Sequence, residues 1–391
     1  MNPVDIKSDV QVSVRGAQRL RHGHLWVYAG DLTREAYDPA APIVRVLDHG
    51  RNVLGYALHS AQSQIRLRLL VRGDEPPTPD LLLRRLQGSI ARRPPLAPST
   101  ASRLVFGEAD LLPSIIVDRY GECISLQTLS RGADALKPLL VEQLHGLLYP
   151  LLIVERNDVR ARILEGLDEK RGILLGNAPR SVEIVEDGVR FLVDPLAGQK
   201  TGFFLDQKDN RIAAAAHARG RALDCFSNTG AFALHFARRC DSVLAIDISR
   251  ESLEQARRNA ELNRASNLEL REANVFDQLR ELERAGERFD TVCLDPPAFA
   301  KNRGAVSSAR SGYKEINLRA MKLLRPEGIL VTSSCSYHLS ESDFAEVIVD
   351  AARDAHRYVQ ILEKRGQALD HPVLAGVPET SYLKCLILRV L

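Results

Sequence analysis

The sequence predicts an α/β protein. Its C-terminal half is a doubly wound, mostly parallel sheet, preceded by a small β-rich domain and a small α+β domain. Three observations predict this. From about residue 181 onward, strand-like apolar runs alternate with helical periodicity, the order that builds a parallel sheet with crossover helices. The last two runs, YVQILEK and YLKCLILRVL, are joined by a Pro/Gly-bearing loop without a helix, so the final strand runs antiparallel. Upstream of residue 72 the apolar runs are short, rich in β-branched residues or alternating, and broken by turn residues.

The elements follow in order. IVRVL (43–47), NVLGYALHS (52–60) and QIRLRLL (64–70) are strands, with His49-Gly50 breaking the first pair, and residues 1–72 form the β-rich domain. Gly73-Asp74-Glu75-Pro76-Pro77 is a turn cluster leading into the second domain, 78–180. That domain has a helix from Pro79 to Ile90, strands at SIIVDRY, CISLQTLS and LLIVER, and a helix from Ala133 to Leu147. The third domain, 181–391, opens with a hairpin, VEIVEDGVRFLVD. ALDCF then leads to a helix near Gly230, and VLAID to a helix from Arg250 to Asn263. LELREAN, TVCLDPP and ILVTSSC each precede a further helix.

Composition is that of an ordinary globular protein, 45% apolar and 26% charged, which excludes a disordered or fibrous chain. The net charge of +3 permits a nucleic-acid partner without requiring one. No run approaches the roughly 18 apolar residues of a membrane span, and the N-terminus lacks the apolar core of a signal peptide. The six cysteines are scattered with no C-x-x-C pair, so neither a disulfide framework nor a zinc site is expected. The expected setting is a reducing cytoplasm.

The first βα turn of the third domain, LDCFSNTGAFAL, carries one glycine, Gly230, where a dinucleotide fingerprint has three. A ligand without a pyrophosphate needs less clearance at the backbone. Asp247 ends the next strand about twenty residues on, where an acid accepts from ribose hydroxyls. Together they suit a nucleoside cofactor such as S-adenosylmethionine. Asn274 ends the third strand, where an adenine amino group is met; its plainer reading is a strand-terminal turn residue.

Two further strand ends carry the chemistry. Asp295-Pro296-Pro297 stops the fourth strand and leaves an acid at the rim. VTSSCSYHLS (331–340) puts Cys335 at the polar end of the fifth. A buried hydrophobe is the commoner fate of a free cysteine, but such a residue belongs inside the run, as Cys293 and Cys385 are. A thiol and a carboxyl group in one cleft suit a pyrimidine: sulfur adds to carbon 6, an acid supports the ring nitrogen, and carbon 5 becomes nucleophilic.

At these residues the sequence resembles the class I S-adenosylmethionine-dependent ribosomal RNA large subunit methyltransferases that make 5-methylcytosine in 23S rRNA. The resemblance runs nearly end to end, through HLWVYAG (24–30), SQIRLRLL (63–70), GEADLLPSIIVDRYG (107–121), GQKTGFFLDQKDNR (198–211), LDCFSNTGAFAL (223–234), LDPPAFAKNR (294–303), SGYKEIN (311–317), SSCS (333–336) and DHPVLAGVPETSYLK (370–384). It implies a PUA domain over 1–72 and a Rossmann-like methyltransferase domain. It also implies that Cys335 is the nucleophile, for which the strand-end reading above makes Asp295 the acid partner, and that 23S ribosomal RNA is the substrate. The cofactor contacts it implies are Lys200, Thr201, Phe204, Gln207, Arg211, Asp224, Phe226, Ser227, Asn228, Gly230, Asp247, Asn274 and Asp295. A homodimer is left open. The sequence departs from the family pattern at Leu25, where relatives often have proline, and at Asn274, where an acid is commoner. Ala298 stands where other RNA cytosine methyltransferases carry a second cysteine.

Arg15, Arg19, Arg21, His22, His24, Arg66, Arg68, Arg72, Arg84, Arg85, Arg92 and Arg93, with Trp26 and Tyr28, are candidates for gripping phosphates and stacking bases. Two rivals stand beside the cytosine reading. One is methylation of uracil carbon 5 or an exocyclic amine, although amine-methylating enzymes often follow the two prolines directly with an aromatic. The other is a non-catalytic RNA-binding or assembly protein.

Overall fold

A computed structural model describes residues 6–35, 42–95, 97, 99–177, 181–198, 201–300 and 303–391, apart from the side chains of Lys7 and Arg303. These residues form two compact units. The first comprises the chain to residue 184 with 193–205 and 369–380; the second comprises 185–192, 206–368 and 381–391. Among the described residues, no helix is long and apolar enough to cross a membrane.

The first unit holds two sheets. One has six strands in the order Trp26–Tyr28, Ile65–Arg72, Val53–His59, Ile43–Leu47, Ile6–Val12, Leu32–Glu35. Ile6–Val12 runs parallel to Ile43–Leu47 and the other pairings are antiparallel. Gly55, at φ +151°, lets two strands close up, since a Cβ there would sit 2.0 Å from the Val71 carbonyl oxygen. The second sheet orders Lys170–Gly176, Leu152–Asn157, Cys123–Thr128, Ile115–Tyr120 and Ala101–Phe106. Ile43, Leu58 and Leu70 from the first sheet share one core with Leu86, Val117, Leu126, Leu140 and Ile153 from the second region.

Several arginines expected to face RNA are instead spent inside this unit. Arg68 is buried and forks onto Glu165, with Nη2 at 2.7 Å from Oε1. Arg93 is buried against Asp110. A charge removed from water needs a partner, and these guanidiniums have theirs. His24 is also buried, between Arg19 and Glu379, and burial lowers its pKa. Arg15, Arg21, His22, Arg72, Arg84 and Arg92 stay exposed, although Arg15 and Arg21 reach Asp31 and Asp48. Trp26 and Tyr28 are half-buried; the indole donates to Glu108 and Arg19 lies over the Tyr28 ring.

The second unit is built on a seven-stranded sheet. Its strands, first to seventh along the chain, are Arg221–Cys225, Ser242–Asp247, Leu268–Glu272, Phe289–Leu294, Leu324–Ser334, Val359–Arg365 and Lys384–Val390. Their lateral order is 3-2-1-4-5-7-6. The first five are parallel, while the seventh runs antiparallel to both neighbours, as the missing crossover helix predicted. Helices Ala231–Ala237, Arg250–Asn263, Val275–Arg284, Val306–Leu323 and Glu341–Asp354 follow the first five strands. The first, second, fourth and fifth strands carry apolar runs because both faces are covered, one core including Leu223, Val292, Leu330 and Ile316, the other Ala245, Cys293, Val331 and Phe236. The third, LELRE at the sheet edge, is only partly buried.

Candidate active site

Lateral order reverses between the first strand and the fourth, and ligands of such sheets bind beyond the carboxyl ends at that point. Asp224 is next to last in the first strand, Asp295 directly follows the fourth, and the second strand ends in a third acid, Asp247.

The turn after the first strand is wound tightly. Phe226, Asn228 and Gly230 all have left-handed backbones, with φ of 62°, 49° and 79°. Gly230 is needed there: besides its φ, a Cβ would meet that of Ala256 at 3.2 Å. Asn228 N and Ser249 N donate to the two Asp247 oxygens, each at 2.8 Å. These bonds fix the carboxylate at the rim and still leave it lone pairs for a ribose. Asp224 Oδ2 accepts from Ala233 N at 2.9 Å. Burial, reinforced by the neighbouring Asp295, holds the Asp224 carboxyl well above the usual carboxylate range. Among the described residues, Ser227 Oγ and Asp224 Oδ1 are buried without a hydrogen-bond partner, and the Asp224 carboxyl has a weak contact with the Cys293 thiol. Such groups call for a polar ligand. Phe226, Phe276 and Phe299 form a partly buried aromatic wall, with ring centroids 5.8–6.5 Å apart.

Asp295 follows the fourth strand. Gln207 Nε2 donates to its Oδ1 at 2.7 Å, and Gln207 is oriented in turn by Asn210, whose Nδ2 donates to Gln207 Oε1 at 2.7 Å. The fifth strand lies alongside, in parallel register, with Leu294 opposite Thr332. Cys335 comes one residue after that strand ends. Its Sγ lies 3.9 Å from the Pro296 carbonyl oxygen, so thiol and carboxylate share the rim as expected. Of the six cysteines five are buried, and Cys335 is the partly exposed one. The loop carrying it is pinned: Ser336 Oγ accepts from Ala300 N at 3.2 Å and bonds the Tyr313 hydroxyl at 3.0 Å.

Three expected cofactor contacts do other work. Thr201 is buried in the first unit, bonded to Asp118 and to the Tyr120 hydroxyl, because Tyr120 needs a partner once enclosed. Arg211 is fully enclosed in the second unit; its guanidinium forks onto Glu186 at 2.6 and 2.7 Å, and His235 bonds the same carboxylate. Asn274 caps the helix Val275–Arg284 by accepting from Phe276 N at 2.9 Å, so its turn role prevails. Phe204 is half-buried in the first unit. Lys200 lies outside the described residues.

Sequence reasoning passed over Ile248, Phe276, Phe299 and Lys384. Ile248 is 69% exposed directly after Asp247. An isoleucine following a strand-terminal acid was the available signal, since nothing in the pattern buries it.

The chain is similar to known methyltransferases. The profile of the S-adenosylmethionine-dependent methyltransferase family matches residues 167–389, and that of the PUA-like domain matches 10–72. The chain is 41% identical over 384 residues to ribosomal RNA large subunit methyltransferase I of Photobacterium profundum, covering 95% of this chain and 96% of that one. It is 40% identical over 379 residues to the protein of the same name from Tolumonas auensis, covering 94% and 96%. Among solved structures, a protein described as a SAM-dependent methyltransferase from Streptococcus mutans superposes with a TM-score of 0.83 at 20% identity, covering 98% of this chain and all of the other. SMU.776, described as a methyltransferase and solved with SAH, gives 0.84 at the same identity and coverage. These two share the fold. The cofactor is S-adenosylmethionine, and the unpartnered polar atoms at the first turn suit it. The chain belongs to the ribosomal RNA large subunit methyltransferase I family, S-adenosylmethionine-dependent methyltransferases with a PUA-like domain.

Proposed function

We propose that this chain methylates carbon 5 of a cytosine in 23S ribosomal RNA through a covalent adduct of Cys335. The relatives' name supports the ribosomal RNA substrate, and the PUA-like domain suits an RNA partner. The observation that carries the adduct is the position of Cys335: it is the one partly exposed thiol, and it sits beside the strand that Asp295 directly follows. Its thiolate adds to carbon 6 while Asp295, held by Gln207, supports a proton at the ring nitrogen. The electrons displaced from the double bond make carbon 5 nucleophilic. Bound S-adenosylmethionine supplies an electrophilic methyl group on a positively charged sulfur. Loss of the carbon-5 proton then lets the thiolate leave, restoring the ring.

Asp224, Phe226, Ser227, Asn228, Gly230 and Asp247 form the cofactor pocket in this reading, with Gln207 and Asp295 closing its inner side. The family resemblance also names Phe204 and Lys200 as cofactor contacts. The modules are 1–72, 78–180 and 181–391, and the cytoplasm is the setting.

The test is transfer of tritiated methyl to unmodified 23S rRNA, followed by nucleoside analysis. Label in 5-methylcytidine is expected, and label in 5-methyluridine or a base amine overturns the reading. RNA with 5-fluorocytidine gives a second check. Fluorine at carbon 5 blocks the final elimination, so a protein–RNA adduct stable to denaturant should form with the native chain and not with Cys335→Ala.

A further inference from the structure

We propose that Lys384 holds Cys335 as a thiolate, which makes it a positioning residue for the nucleophile; this rests on the adduct reading above. The seventh strand runs antiparallel beside the fifth, and Lys384 lies directly opposite Ser334. Its Nζ donates to the carbonyl oxygen of Ser336 at 2.7 Å and to that of Tyr382 at 2.9 Å. The ammonium is therefore anchored at Ser336 while its backbone is anchored at Ser334, the two residues that flank Cys335. An ammonium has three donors. Two are held by carbonyls, and the third serves the sulfur between the anchored residues.

The two groups are close enough for a charge on the sulfur to favour the ammonium. Burial pulls Lys384 down, Cys335 offsets part of that, and the net value is about 8. Lys384 is charged at neutral pH and is close to losing its proton just above. The ammonium keeps its proton at neutral pH, so the thiol releases its own to solvent water, which leaves a thiolate beside an ammonium. Among the described residues, the other groups named around Cys335 carry no fixed positive charge. Asp295 adjoins Pro296 on the neighbouring strand and opposes a thiolate. The Tyr313 hydroxyl reaches the loop at Ser336 and is kept protonated by burial. Tyr337 and His338 follow in the same loop. An ordinary thiol with a pKa of about 8.5 is only a few per cent ionised at pH 7, and the thiolate is the attacking species. A cation fixed beside the sulfur supplies what the acid takes away.

Iodoacetamide alkylation of Cys335 in the intact chain, followed by peptide mass spectrometry across pH, tests this without RNA or cofactor. The native protein should give an inflection about one unit or more below the free-thiol value of about 8.5. Lys384→Met should raise that inflection to the free-thiol value or above and slow alkylation at pH 7 about tenfold. Lys384→Arg, which keeps the charge, should retain the low inflection. S-adenosylmethionine binding by calorimetry checks that each variant is folded. A native inflection at or above the free-thiol value overturns the proposal even where Lys384→Met fails to fold, and so does an unchanged profile in folded Lys384→Met. The adduct reading fails separately: Cys335→Ala that still methylates RNA would remove the nucleophile but leave a shifted alkylation profile intact.

Discussion

The body of the seven-stranded sheet and its carboxyl rim carry the same residue type to opposite ends. Cys293 lies in the fourth strand opposite Val331, fully enclosed, and burial pushes its thiol well above the usual range. Cys385 lies in the seventh strand opposite Ser333, and burial pushes it to about 12. Cys335 follows the strand between them and is partly exposed beside Asp295 and Lys384. Desolvation disfavours a charged sulfur in the body, and at Cys385 the nearby Arg365 offsets only part of it. At the rim the chain leaves the ladder, admits a ligand and brings a lysine to the thiol. The residue type does not decide the chemistry; its distance from the strand end does.

Substitutions at the two places test that contrast. The largest effect is expected for Cys335→Ala, which should lower kcat for methyl transfer by more than about 10⁴-fold, as loss of a covalent nucleophile does. Cys293→Ala should leave kcat nearly unchanged and cost about 1 kcal/mol in urea unfolding. Equal losses of activity from the two would abolish the distinction between body and rim. Asp295→Asn keeps the hydrogen bond from Gln207 within reach but removes the acid; a fall in kcat of about 10²–10⁴-fold is expected in single-turnover assays. The smallest effect on chemistry should come from Glu186→Gln, in the body of the second unit. It leaves the enclosed Arg211 without its anion and should cost about 3 kcal/mol of stability with little change in kcat of the folded enzyme.

The same group predicts a pH dependence. Glu186 is lowered to about 2: burial opposes its charge, and Arg211 more than compensates. A depressed carboxylate stabilises the fold above its unfolded value of about 4.5, and that contribution is lost as pH falls through the folded value. Urea midpoints of the native chain should therefore drop between about pH 4.5 and about 2, more steeply than those of Glu186→Gln.

The alternation of strands and helices beyond residue 181 was legible because each element is buried on a known period; the helix Arg250–Asn263 has the predicted ends. The missed elements have weaker local signals. Ile6–Val12 is interrupted by the polar run Lys7-Ser8-Asp9 and finds its place by pairing with Ile43–Leu47, far along the chain. The helix expected over Ala133–Leu147 is two, Arg131–Ala135 and Lys137–Leu148, because Pro138 can sit only in a first turn. Arg68 shows the limit for charged residues: on an alternating strand it read as a surface group, and only the arrival of Glu165 encloses it.

The sequence by itself determined which strands end in an acid or a thiol, where the single turn glycine falls, and that the last strand reverses. These are local properties, set by pleat, turn and connection length. Only the tertiary structure decided which strands lie side by side, and so brought Asp295 and Cys335 to one rim and Lys384 to the sulfur. Strand pairing is made by backbone groups that every residue shares, so lateral order is fixed by packing the whole sheet and leaves no mark at any single position.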